Sequence, residues 1–263
     1  MFQDVDCDNL TNLFDLYIKN KPNLGSGNPL LQVLPRLAWY LQRPSNDLQQ
    51  ARRNISSHYD TSNALFSAFL SADMNYSCAH WAPSGQEGHG KEQGKGKGGV
   101  GPEGEIPEEA LEAAQKRKIH SFIRKLGLNA SHHLLDIGCG WGDVAITAAQ
   151  TTGCRVTGVT LSEEQKTLAE ERVRDAGLAD SGRVRILLCD YRDTPAPDDA
   201  GKEVYDRIIS IGMFEHVGPQ FLEGYFGVIE RLLHPTDGRV LVDGITRTNG
   251  VSYIYPCPCL MLK

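Results

Sequence analysis

Three glycines, Gly138, Gly140 and Gly142, alternate in the segment LLDIGCGWGD, where an apolar run gives way to a helix-forming one. Glycine accepts positive φ and allows close approach to the backbone at the mouth of a parallel sheet, where the next helix points its free amides. A dinucleotide-binding turn needs G-x-G-x-x-G, and the position of its last glycine is held here by Asp143. The spacing therefore speaks against NAD. Asp136, just ahead of the turn, would lie near a bound amine. S-adenosylmethionine, with an α-amino group and a sulfonium, suits that carboxylate better than a pyrophosphate does. Cys139 and Cys189, in a loop between glycines and at a strand end, read as small packing residues.

The elements that must hold this turn follow from periodicity. Short β-branched runs at 133–137, 155–160, 184–189, 205–211 and 239–245 predict strands, and helical patterns fill 142–150, 163–176 and 221–233. Such alternation specifies a parallel sheet covered on both faces, a doubly wound α/β domain. A helix opened by Pro107, Glu108 and Glu109 presents Ile119, Phe122, Ile123 and Leu126 on one face and stops at Gly127. Further towards the N-terminus, Leu10, Leu13, Phe14, Tyr17 and Ile18 share one helical face. A second apolar stretch, Leu30 to Leu41, is flanked by Arg36, Arg43, Arg52 and Arg53. It suits a helical hairpin packed on the main domain or a basic, aromatic surface resting on anionic lipid.

Residues 85–104, GQEGHGKEQGKGKGGVGPEG, hold too few apolar side chains to offset their ordering entropy and predict a disordered insertion. His89 within it has no second His or Cys at ligand spacing, so no metal site is expected. The 263 residues suit one large domain with a small attachment, and a net charge of −6 disfavours a non-specific nucleic-acid binder. No apolar run is long enough to span a bilayer, and MFQDVDCDNL carries acids where a signal peptide would be basic. Seven cysteines without a C-x-x-C pair indicate neither a disulfide framework nor a zinc site and fit a reducing, cytoplasmic compartment.

Four stretches in order, HYDTSNALFSAFLSADMNYSCAHW, LLDIGCGWGDVAI, GVTLSEEQ and YDRIISIGMFEHVG, together with ILLCDYRD, resemble the cyclopropane-fatty-acyl-phospholipid synthase and mycolic acid cyclopropane synthase family of S-adenosylmethionine-dependent methyltransferases. The resemblance implies a Rossmann-like core at 105–250, a lid over the cofactor at 58–84, an N-terminal helical extension at 1–57 and an atypical short C-terminus at 251–263, with the terminal strands of the sheet missing. Carried over by position, Tyr76 and Ser77 contact the cofactor from the lid, and Gly138 and Gly140 lie under its methionine moiety. Thr160, Leu161 and Gln165 fall at the ribose, Asp190 and Tyr191 at the adenine, and Ile211 and His216 at the methyl end.

The implied reaction is methyl transfer to the cis double bond of an unsaturated phospholipid acyl chain at a membrane surface, giving a cyclopropane or a methyl branch. An alkene needs positioning, dryness and cation stabilisation, and ring closure then needs a base. In the resembled family that base is a bicarbonate ion, held by groups matching Cys78, Glu215 and Ile245. Asp243 departs from the family's His and would set a second carboxylate beside Glu215 and the anion. The chain also ends soon after Ile245, so the strand at 239–245 is expected to leave an apolar edge that recruits a second copy. A small-molecule N- or C-methyltransferase of related architecture, or an inactive cofactor-binding fragment, are the alternatives. The GPQ after FEHV favours the lipid branch.

Overall fold

In the computed structural model, which describes residues 10–24, 63–81, 108–197 and 203–245, five strands form one parallel sheet. They are β1 (His133–Ile137), β2 (Arg155–Thr160), β3 (Val184–Leu188), β4 (Arg207–Ile211) and β5 (Arg239–Asp243), in the order β3-β2-β1-β4-β5. The helices are α1 (Leu10–Leu24), α2 (Asn63–Ser67), α3 (Glu108–Leu126), α4 (Asp143–Thr152), α5 (Glu163–Asp175) and α6 (Leu222–Leu232). Strand order reverses at the β1/β4 pair, so the loops leaving these strands diverge and open a crevice at their C-terminal ends.

Alternation along each strand builds two cores. Leu134 of β1, Val156 of β2 and Ile209 of β4 pack with Ile119, Phe122, Ile123 and Leu126 of α3 and with α4. On the other face, Leu135, Ile137, Val159 and Ile208 pack with Tyr225, Ile229 and Leu232 of α6. Each such side chain contributes roughly 1.5–3 kcal/mol by leaving water. Both faces are apolar, as an all-parallel sheet between helices requires.

The differences from the expected boundaries have local causes. Gly142 has a φ of 84° and caps α4, so the helix begins at Asp143; Gly153, with a φ of 75°, ends it. Ser162 accepts the Gln165 amide and fixes the start of α5. Tyr205 makes only an isolated bridge with Leu233, its ring buried and its hydroxyl donating to the Pro195 carbonyl at 3.1 Å, so β4 starts at Arg207. The last strand stops at Asp243, because a Cβ on Gly244 would overlap Phe214 and the Ile245 amide turns to Glu215.

The chain divides into two units, residues 1–45 and 46–263, and everything above except α1 belongs to the second. In the first unit, α1 follows the expected spacing and leaves Phe14, Tyr17 and Ile18 exposed. The stretch at 30–41, the segment 85–104 with His89, and residues 251–263 lie outside the described residues. Among the described residues, no helix is long and apolar enough to cross a membrane.

Candidate active site

The glycine turn leaves β1 in the left-handed region, with φ values of 79° at Gly138 and 53° at Gly140. The amides of Gly138 and Cys139 both donate to the Val159 carbonyl at 3.0 Å, which ties the turn to β2. A Cβ on Gly138 would press on Met213 at 3.1 Å, whereas one on Gly140 would enter open space. Beneath the turn, a Cβ on Gly158 would lie 2.9 Å from the Cys139 Cβ. Sequence reasoning missed Gly158, although a glycine inside a strand is itself a sign of close approach. Burial pushes the Cys139 thiol well up, so it stays protonated and serves packing.

These elements enclose an open cleft. Of the residues expected at the cofactor, Tyr76, Ser77, Asp136, Gly138, Gly140, Thr160, Leu161, Gln165, Tyr191, Ile211 and His216 line it. Asp190 does not. Its Oδ1 accepts Arg192 Nε at 2.7 Å and its Oδ2 accepts Arg192 Nη2 at 2.8 Å, so this carboxylate is committed to its neighbour. Thr160 and Gln165 are buried and paired, with Thr160 Oγ1 donating to Gln165 Oε1 at 2.7 Å. Asp136 is buried, its Oδ2 has no hydrogen-bond partner among the described residues, and burial lifts its carboxyl to about 7. A buried carboxylate oxygen without a partner is costly, and a cationic ligand group would satisfy it. The donor set and the glycine cradle thus fit the amino-acid half of S-adenosylmethionine.

The wall formed by residues 73–81 is strapped down along its length. Asp73 organises its first turn, accepting Ser71 Oγ at 2.5 Å and the Asn75 amide at 3.2 Å. Asn75 Nδ2 donates to Asp143 Oδ2 at 2.7 Å, and Arg172 Nη2 pairs with Asp143 Oδ1 at 3.1 Å. From α3, Gln115 Nε2 donates to the Ser77 carbonyl at 2.7 Å, Arg117 Nη1 to the His80 carbonyl at 2.8 Å, and Lys118 Nζ to Ser77 Oγ. Phe66 packs against Tyr76 and Trp141 with centroids 5.5 and 5.0 Å apart. Trp141 Nε1 is held by Asn63 Oδ1 at 2.8 Å. Gln115 and Lys118 were not singled out from the sequence. Their signal was there, since they share a helical stripe with Ile119 and Phe122.

The residues expected to be catalytic are only partly brought together. Glu215 sits on the short turn Phe214–His216; its Oε1 accepts the Ile245 amide at 2.6 Å, and its buried Oε2 has no partner among the described residues. The Ile245 amide, expected at a bicarbonate ion, is therefore already taken by Glu215. Cys78 is exposed, directs its thiol to the Ala79 carbonyl at 3.7 Å, and does not line the cleft. Asp243 ends β5, and its charge acts on Lys118. Among the described residues, Glu215 and Ile245 meet each other, and Cys78 does not join them at the cleft.

The sequence profile of the family described as mycolic acid cyclopropane synthetase matches residues 46–253. The chain belongs to this family. It is 38% identical over 209 residues to a probable fatty acid methyltransferase of Pseudomonas putida, an alignment covering 78% of this chain and 44% of that protein. It is 39% identical over 178 residues to the cyclopropane-fatty-acyl-phospholipid synthase of Escherichia coli K12, covering 68% of this chain and 37% of that one. Among solved structures, mycolic acid cyclopropane synthase CmaA1 complexed with SAH and CTAB superposes with a TM-score of 0.57 at 31% identity. That match covers 73% of this chain and 55% of CmaA1. The chain spans less than half the length of the two curated relatives.

Proposed function

We propose that the chain transfers a methyl group from S-adenosylmethionine to the cis double bond of an unsaturated phospholipid acyl chain at a membrane surface, forming a cyclopropane or, where the proton is lost from the chain instead of the new methyl group, a methyl-branched alkene. The observation that carries the reading is the cleft at the β1/β4 switch point, where the glycine turn and the Asp136 carboxylate, whose Oδ2 has no partner among the described residues, face the same space as the aromatic wall. Family membership and similarity to a fatty acid methyltransferase and a fatty-acyl-phospholipid synthase support the choice of an acyl chain. Exposed Tyr76 and Trp81 on the wall, with Leu65 and Phe69 just ahead of it in the chain, offer an apolar approach for it.

In this reading Asp136 binds the cofactor's ammonium, the turn at Gly138 and Gly140 gives it room, and the Thr160–Gln165 pair shapes its ribose end. Bound there, the cofactor supplies an electrophilic methyl group on a sulfonium. Tyr76 and Trp141, backed by Phe66, exclude water and present aromatic faces to positive charge that develops on the acyl chain. Glu215 does not itself line the cleft but adjoins His216, which does; one of its oxygens is fixed by the Ile245 amide, and the other, without a partner among the described residues, is assigned as the acceptor of the proton lost on ring closure.

Lipid mass spectrometry of cells expressing the chain tests the proposal. Monounsaturated acyl chains should gain one CH2 unit, and cells expressing Glu215→Gln should not show the gain. Unaltered lipids from cells holding folded, S-adenosylhomocysteine-binding chain would overturn it.

A further inference from the structure

Lys118 has no place in the mechanism above, yet among the described residues it is the lysine most completely removed from water. It lies on the inner stripe of α3 and is fully buried. An ammonium carries three N–H donors, and removing it from water costs several kcal/mol unless something compensates. Its hydrogen-bond acceptor among the described residues is Ser77 Oγ. Burial lowers its pKa, opposed by the charges of Asp243, Asp73, Cys78 and Asp143. If α3 needed only to pack, a leucine or methionine would fill this position without that cost.

What the cation does follows from the hydroxyl it holds. Ser77 lines the cleft and its main chain is already fixed by Gln115, so the remaining freedom is the rotation of its O–H. With Lys118 donating to the oxygen, the serine proton must point elsewhere, and the cleft is open to it. A serine hydroxyl polarised by an ammonium is a strong donor, suited to an anionic oxygen. Asp136, lining the same cleft, is suited to a cation. A ligand group with an ammonium and a carboxylate on one carbon satisfies both.

We propose that Lys118 is a positioning residue for the carboxylate of the cofactor's amino-acid half, acting through the Ser77 hydroxyl. This rests on the S-adenosylmethionine reading of the cleft and adds to it a residue that does not itself line the site.

The test compares two ligands that share adenosine and sulfur but differ in the amino-acid half, S-adenosylhomocysteine and methylthioadenosine, by isothermal titration of the whole chain. Lys118→Met should weaken S-adenosylhomocysteine by about tenfold or more while methylthioadenosine stays within about twofold. Ser77→Ala should show the same selectivity, and the double variant should lose no more than the larger single loss. In unmodified protein, the lysine ammonium signal assigned to Lys118 in nitrogen NMR should move with S-adenosylhomocysteine and not with methylthioadenosine. That measurement stands even if Lys118→Met does not fold. Equal losses for both ligands, additive losses in the double variant, or an unmoved ammonium signal would overturn the proposal. Failure of the unmodified chain to bind either ligand would instead overturn the cofactor reading, and this inference with it.

Discussion

The affinity of the chain for S-adenosylhomocysteine should rise with pH up to neutrality, and Asp136 should be the reason. Burial lifts its carboxyl to about 7, and its Oδ2 has no partner among the described residues. In the empty cleft the group is therefore mostly protonated under mildly acidic conditions. It must lose that proton to pair with the ligand's ammonium, so the complex holds fewer protons than the free components and affinity increases with pH. A carboxyl with this pKa is about 3% ionised at pH 5.5 and about 76% at pH 7.5, which makes the expected gain about twenty-five-fold. At pH 6 about 0.9 proton should be released per ligand bound, and the release should vanish above pH 8. Isothermal titration in two buffers of different ionisation heat measures both quantities. Asp136→Asn should bind more weakly at pH 7.5 and lose the slope. A flat profile for the unmodified chain would refute the reasoning, as would a slope that survives in Asp136→Asn and so belongs to another group of the cleft, such as His216.

Gly138→Val should abolish S-adenosylhomocysteine binding, because a branched side chain at a φ of 79° would both strain the turn and push on Met213; unchanged affinity in a folded variant contradicts this. Gly158→Ala should destabilise the domain by about 1–3 kcal/mol in denaturant unfolding, since its Cβ would lie 2.9 Å from that of Cys139. Glu215→Gln should cut turnover by about a hundredfold or more and leave S-adenosylhomocysteine affinity unchanged. Equal loss of both would make Glu215 structural. Among the described residues β5 is paired on one side only, with β4, and Val240 is exposed. Sedimentation velocity should therefore show concentration-dependent association, reduced in Val240→Lys; a monomer at every concentration contradicts it.

The β1–turn–α4 unit was legible because the signals that mark it are local. Period-two apolar residues, three glycines at fixed offsets and a following helix pattern lie within twenty residues, and each is enforced by backbone sterics. The strand set and its parallel order followed from the same periodicities. What was not legible depends on contacts between distant segments. Gln115 and Lys118 matter because they meet Ser77, which lies 38 and 41 residues away, across the glycine-rich segment. Glu215 was visible only through resemblance, and the amide that fixes it belongs to a residue 30 positions further on. Asp190 was named through resemblance alone, and nothing in its local sequence shows that the neighbouring Arg192 folds back and takes both carboxylate oxygens.

Methyl transfer to an acyl double bond with loss of a proton to the protein can be followed with S-adenosylmethionine carrying a fully deuterated methyl group. Purified chain would be incubated with this cofactor and with vesicles of a monounsaturated phospholipid, and the released fatty acids analysed by mass spectrometry. On ring closure two of the three deuterium atoms should appear in the acyl chain, the third having left as a deuteron, and Glu215→Gln should form no such product. Label confined to the head group, or no label in lipid from chain that binds S-adenosylhomocysteine, would contradict it.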